Sequence, residues 1–173
     1  MRSECHGLKG AKYLKKDKIF SYWVKSDNKP LVLADLETMV EDVELNDKVP
    51  EEAAEALEVA KRTFVFGYFY YKLFTVSHHY AFLAVEAALK IKYKEVTGKE
   101  SSNHTHVIEA LVKSGVIPEN KKELYDAGRY LRNELSHLTD STTMTPSADI
   151  LYRTAEMIND LYEEGGNESG QET

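Results

Sequence analysis

Between Pro50 and Gly98 the chain gives a helix almost no reason to stop: no proline intervenes, and Gly67 is the one glycine. Pro50 followed by Glu51 and Glu52 is a strong helix start, with proline at the first turn and carboxylates at the positive end of the helix dipole. A single helix over this whole run of about 50 residues would be roughly 70 Å long, too long for a compact domain of this size. The run must therefore fold back on itself. The cluster Thr75, Ser77, His78 and His79 places the expected break between Phe74 and His79, because β-branched and polar residues are weak helix formers.

Aromatic residues crowd the middle of this run: Phe64, Phe66, Tyr68, Phe69, Tyr70, Tyr71, Phe74, Tyr80 and Phe82. They surround the helix rather than stripe one face, and a helix apolar all round is buried all round. In a small domain that predicts a second subunit, with an apolar interface drawn from the 64–82 and 121–137 segments. No membrane span is expected from 63–85, because Lys72, Ser77, His78, His79 and the tyrosines would lie in hydrocarbon.

The next segment, Tyr80 to Thr97, is amphipathic, with Ala84, Ala87, Ala88 and Ile91 set against Glu86, Lys90, Lys92, Lys94 and Glu95. Glu86 and Lys90 have the spacing and order of a surface ion pair. Gly98 ends that helix, and a polar link leads to a short one carrying Val107, Ile108, Leu111 and Val112. Thr105 is its expected N-cap, with His104 and His106 beside it; the HxH pattern has no further ligand at metal-site spacing, so no metal or other cofactor is expected. Gly115 and Pro118 close this helix.

The following helix, Lys121 to His137, reads KKELYDAGRYLRNELSH. Leu124, Ala127, Leu131 and Leu135 mark its expected buried stripe, and Gly128 beside them suggests a closely passing backbone. Ser147 is placed to cap a last helix to Tyr162, with Ile150, Leu151, Ala155, Ile158 and Leu161 inward. Residues 138–147 read as a loop.

These elements predict an all-α bundle of four to five helices over residues 49–162 with an N-terminal extension. That extension, residues 1–48, is basic and then acidic and partly helical, with Leu33, Leu36, Met39 and Val40 at helical spacing. Its rings (Tyr13, Phe20, Tyr22, Trp23) are expected to pack on the core while its lysines stay in water. Residues 163–173 are polar and glycine-rich, the composition of a disordered tail that can be removed. Cys5, the single cysteine, permits no internal disulfide, and residues 1–25 contain no apolar signal segment. A cytoplasmic location is expected.

Arg132, Asn133 and His137 gather at the end of the 121–137 helix. Arginine offers a permanently charged, two-pronged match to phosphate oxygens. A histidine at a helix C-terminus is favoured in its protonated form. Such groups suit metal-independent RNA cleavage, where the ribose 2′-hydroxyl is the nucleophile and the protein supplies proton transfer and charge stabilisation. A base and an acid are both wanted, and a second copy of the helix across a two-fold axis would bring a second histidine. The net charge of −7 argues against a broadly basic RNA-binding surface, so RNA must be met by a small basic cleft around Arg129 and Arg132. Arg129 and Ser136 are the candidate substrate-binding residues.

From about Glu51 to Tyr162 the chain resembles the HEPN domain family. The resemblance rests on Arg132-Asn133-Glu134-Leu135-Ser136-His137, which fits that family's Arg-x4-6-His motif. Phe82–Lys90 and Thr105-His106 echo it more weakly. It implies a metal-independent endoribonuclease working at a homodimer interface, with Arg132 and His137 catalytic and Asn133 orienting them. A toxin or phage-defence effector is the implied setting. Leu138-Thr139-Asp140 stands where many toxin members carry a tyrosine, and no nucleotidyltransferase signature is present, so any antitoxin is a separate polypeptide. The other reading is a non-catalytic dimerisation, interaction or nucleotide-binding module on the same helices.

Overall fold

The computed structural model describes residues 14–136 and 146–163. Cys5, the first lysines of the basic segment, His137, most of the expected 138–147 loop and the tail from 164 onward lie outside the described residues. The described chain is all-helical: α1 (Leu33–Glu41), α2 (Glu51–Phe66), α3 (Leu73–Thr97), α4 (His104–Lys113), α5 (Lys122–Ser136) and α6 (Asp149–Tyr162). Short 3-10 turns occupy Lys18–Ser21 and Glu119–Lys121, and an isolated antiparallel bridge joins Val24 to Pro30. No described helix is long and apolar enough to cross a membrane.

The centre of the bundle is α3, which packs against α2, α4, α5 and α6. Alanines at 81, 84 and 88 on α3 and at 53 and 60 on α2 are buried, so the two helices approach closely. Ser77 sits within that contact and donates its hydroxyl to the Ala60 carbonyl at 2.8 Å. Leu57 and Phe64 on α2, with Leu151, Met157, Ile158 and Leu161 on α6, complete the core.

The break between α2 and α3 falls at residues 67–72, earlier than expected. Gly67 explains the position. A Cβ there would lie 2.6 Å from the Phe74 ring and 2.8 Å from the Phe64 carbonyl, so only glycine lets Phe74 fold back onto the end of α2. The weak helix formers Ser77 and His78 stay helical because tertiary hydrogen bonds and burial override their local preference.

Many of the aromatic residues find partners within the chain. Phe20 is fully buried, with Trp23, Tyr68 and Phe74 around it at ring-centroid distances of 5.0, 5.0 and 6.3 Å. Asp17 secures the N-terminal segment to the α2–α3 turn: its N–H donates to the Tyr68 carbonyl at 2.9 Å, and its carboxylate accepts from the Tyr71 N–H at 3.1 Å. Phe66, Tyr70 and Tyr80 remain exposed. Farther along, Leu31, Leu36, Val40 and Val43 join the core, and Asn159 of α6 accepts the Asn46 N–H at 2.9 Å.

The buried face of α5 differs from expectation. Tyr125, Gly128 and Leu135 are buried, whereas Leu124, Ala127 and Leu131 are exposed. The inward stripe is therefore 125, 128, 132 and 135: the first three lie one position, about 100°, round from Leu124, Ala127 and Leu131, while Leu135 is inward as expected. Two contacts fix this rotation. Tyr125 donates its hydroxyl to the Met157 carbonyl at 2.8 Å, and Gly128 brings α5 against the Met157 and Phe82 side chains rather than against another backbone. Arg132 thereby becomes a core-facing residue.

Two caps also shift. Asn103, not Thr105, caps α4, its side chain accepting the His106 N–H at 3.1 Å. Ser147 accepts the Asp149 N–H at 3.3 Å, but the N-cap position of α6 is Ala148.

Candidate functional site

Glu86 of α3 is the hub of the site. Its side chain is 14% exposed, and three cationic or N–H-bearing groups from three helices converge on its carboxylate. Lys90 Nζ donates to Oε1 at 2.6 Å, one turn along α3. His104, the first residue of α4, reaches the same oxygen through Nε2 at 2.8 Å. Arg132 of α5 brings Nη2 to 2.9 Å from Oε2. The last contact is an ion pair off the hydrogen-bond line, so Oε2 keeps unused acceptor capacity. The expected Glu86–Lys90 pair is present, but it is one spoke of a larger network.

Burial pushes the Glu86 carboxyl upward, yet the Lys90 hydrogen bond and the charges of His104, Lys90 and Arg132 outweigh it, leaving the carboxyl below its ordinary value. His104 moves downward too. Burial is the main cause, the Lys90 and Arg132 cations add to it, and Glu86 opposes it. At neutral pH the Glu86–His104 contact is therefore a carboxylate accepting an N–H from a neutral imidazole.

A small cavity of about 20 Å³ lies beside this network, lined by Glu86, His104, Arg129 and Arg132 together with Phe82, Tyr125 and Gly128. The Nε atoms of Arg129 and Arg132 are buried and make no hydrogen bond among the described residues. Buried donors without acceptors are uncommon in folded proteins. Arg129 is offset by Asp126, 3.7 Å from its Nε. Lys90, Arg129 and Arg132 gather here against two carboxylates, Glu86 and Asp126, so these ion pairs leave one positive charge in excess within an acidic chain.

Arg132 also donates from Nη1 to the Asn133 side-chain oxygen at 3.1 Å, so the guanidinium is held by a neighbour as well as by Glu86. Ser136 donates its hydroxyl to the Arg132 carbonyl at 2.9 Å, which commits its proton to the helix. Asn133 and Ser136 are exposed, Arg129 and Arg132 half-buried. His137 follows Ser136 directly in the chain and lies outside the described residues.

Glu86 and His104 were not among the residues selected from sequence. The signal available was the Glu86–Lys90 spacing and a histidine three residues before the apolar run that starts at Val107. Neither names α5 as the third partner. Of the remaining histidines, His106 sits 3.2 Å from the Tyr93 hydroxyl and His78 is buried. Among the described residues no group of three His, Cys, Asp or Glu side chains is placed to hold a metal ion.

A family profile described as Domain of unknown function (DUF4145) matches residues 71–170. The chain belongs to that family. The DUF4145 match runs from the start of α3 past α6 and includes Glu86, Lys90, His104, Arg129 and Arg132; α1 and α2 precede it. Comparison with curated proteins and with solved structures returns no match.

Proposed function

We propose that this chain is a metal-independent endoribonuclease of the HEPN type, working as a homodimer in the cytoplasm as a toxin or phage-defence effector. The observation that carries the reading is the placement of Arg132. It stands on the inward face of α5, is aimed by Glu86 and Asn133, and lies one residue beyond a full turn from His137 in the sequence. An arginine held in place costs less to order when a phosphate arrives, and electrostatic preorganisation of this kind supplies much of an enzyme's rate.

In this reading Arg132 stabilises the charge that builds on the phosphate, with Arg129 adding to the local field. His137 transfers the proton, and Asn133 orients the guanidinium. Ser136 retains lone pairs that can accept from a ribose or base. The ribose 2′-oxygen attacks phosphorus, the 5′-oxygen departs, and the product carries a 2′,3′-cyclic phosphate. Purified chain incubated with total cellular RNA tests this on a gel. Wild type should cut and His137→Ala should not, a loss of about 10²–10⁴-fold. Arg132→Lys should fail as well, because lysine keeps the charge and loses the fork.

A second reading has its own observation. Leu124, Ala127 and Leu131 are exposed along α5 and, with Phe82, Ile150 and Met157, line an apolar groove of about 90 Å³. Such a face suits a non-catalytic dimerisation or interaction module. A wild-type chain that dimerises and leaves RNA intact would favour it.

A further inference from the structure

We propose that His104, oriented by Glu86, is a general base of the same site, accepting the proton of the attacking ribose 2′-hydroxyl. The inference rests on the ribonuclease reading above, which asks for a base and an acid in one step while the motif offers one histidine per chain.

The geometry assigns the role. The imidazole Nε2 lies 2.8 Å from Glu86 Oε1, so the carboxylate fixes that nitrogen as the N–H and leaves Nδ1 with the lone pair. Glu86 is itself anchored by Lys90 at 2.6 Å and Arg132 at 2.9 Å, so it is a firm orienting group. His104 lines the same water-sized cavity as Arg129 and Arg132, the groups that would meet phosphate, and its side chain stays 20% exposed. His104 is the first residue of α4, a helix whose start is held by the Asn103 side chain accepting the His106 N–H.

The charged groups facing it are Glu86 and Lys90 from α3 and Arg129 and Arg132 from α5. Burial and the two nearest cations keep the imidazole below its usual range, so it is unprotonated and ready to accept near neutral pH. Once it takes the proton, the adjacent carboxylate stabilises the imidazolium, the division of labour seen in any nucleophile–histidine–carboxylate relay.

The step balances. The 2′-oxygen forms a bond to phosphorus as its proton passes to His104 Nδ1. The bond from phosphorus to the 5′-oxygen breaks, and that oxygen receives a proton from the acid, the part His137 takes in the reading above.

His104→Gln is the informative variant, because an amide N–H can still donate to Glu86 and hold the network. Four measurements decide it: single-turnover cleavage between about pH 5 and 9, binding of a non-cleavable 2′-deoxy analogue of the same RNA, thermal melting, and rescue of His104→Gly by added imidazole. The expected result is a rate about 10²–10⁴-fold slower with binding unchanged, loss of the acid-side inflection in the pH profile, and partial recovery with imidazole. A His104→Gln chain that cuts within about threefold of wild type with the same pH profile would overturn the assignment and leave His104 a linker of α3 to α4. Should His104→Gln melt early, the imidazole experiment decides alone: no recovery refutes the base. A wild-type chain that does not cut RNA sinks the ribonuclease reading first, and this inference with it.

Discussion

Arg132 Nη2 stands 2.9 Å from Glu86 Oε2, joining the motif-bearing helix α5 to the central helix α3 through a carboxylate that is only 14% exposed. The other oxygen of that carboxylate holds Lys90 and His104, so one side chain ties α3, α4 and α5 together. This arrangement is at once a structural joint and a way of aiming a guanidinium.

Removing the joint should therefore cost stability as well as activity. Glu86→Ala leaves Arg132 and Lys90 partly buried without their counter-charge, and breaking a buried pair from one side typically costs about 3 kcal/mol. For a domain of this size each kcal/mol lowers Tm by about 2–4 °C. A thermal melt should show a drop of about 6–12 °C. A drop under about 2 °C would mean that water already screens the network.

Acid sensitivity should trace to His78. The ring is 2% exposed, its Nε2 N–H donates to the Ser147 carbonyl at 3.3 Å, and Nδ1 has no partner among the described residues. Burial lowers its pKa from 6.5 to about 4, with the Ser147 contact opposing the shift. The unfolded chain thus binds this proton first. The stabilising contribution is complete above pH 6.5 and is lost as pH falls toward 4, by about 3 kcal/mol in all. Denaturant melts of wild type and His78→Gln should converge across that window, because the amide does not titrate. Parallel curves would show that carboxylates alone set the acid limb.

Two glycines should respond oppositely to alanine. At Gly67 the new Cβ meets the Phe74 ring at 2.6 Å and the Phe64 backbone oxygen at 2.8 Å, neither of which yields, so a loss of about 1–3 kcal/mol is expected. At Gly128 the nearest atom is the Met157 methyl at 3.3 Å, the flexible end of a side chain. Helix propensity favours alanine there by about 1 kcal/mol, so Gly128→Ala should be neutral or mildly stabilising. Urea unfolding of the two variants checks both signs.

The helix limits set by punctuation were legible in the sequence. Gly98 and Gly115, both at positive φ, follow α3 and α4 as expected, and Pro50 with its two glutamates opens α2. What the sequence hid was tertiary. The α2–α3 break moved because Gly67 is required by a ring, and the polar residues 77 and 78 found partners on distant elements. On α5 the leucines pointed to one face and the packing chose another, since Tyr125 and Arg132 bury their stems and spend their polar ends on Met157 and Glu86. Pattern reading counts an arginine as an outward residue. Here that rule concealed the link between the motif and Glu86.

The exposed leucines give an oligomerisation test. If the α5 groove carries the proposed dimer contact, Leu131→Asp should shift a particle of twice the 19.7 kDa chain mass to the chain mass itself, with the helical spectrum retained. Light scattering at micromolar concentration measures it. A dimer that survives both Leu124→Asp and Leu131→Asp would move the interface elsewhere, with Phe66, Tyr70 and Tyr80 as the next exposed candidates.

The most direct measurement is the chemistry of the RNA ends produced by the purified wild-type chain. Cleavage by the 2′-hydroxyl under the guidance of Arg132 and His137 must leave a 2′,3′-cyclic phosphate on one fragment and a free 5′-hydroxyl on the other. Wild type should give those ends in the presence of EDTA as in its absence, and His137→Ala should not cut. Fragments with 5′-phosphates, cutting that stops with EDTA, or equal cutting by His137→Ala would contradict this mechanism.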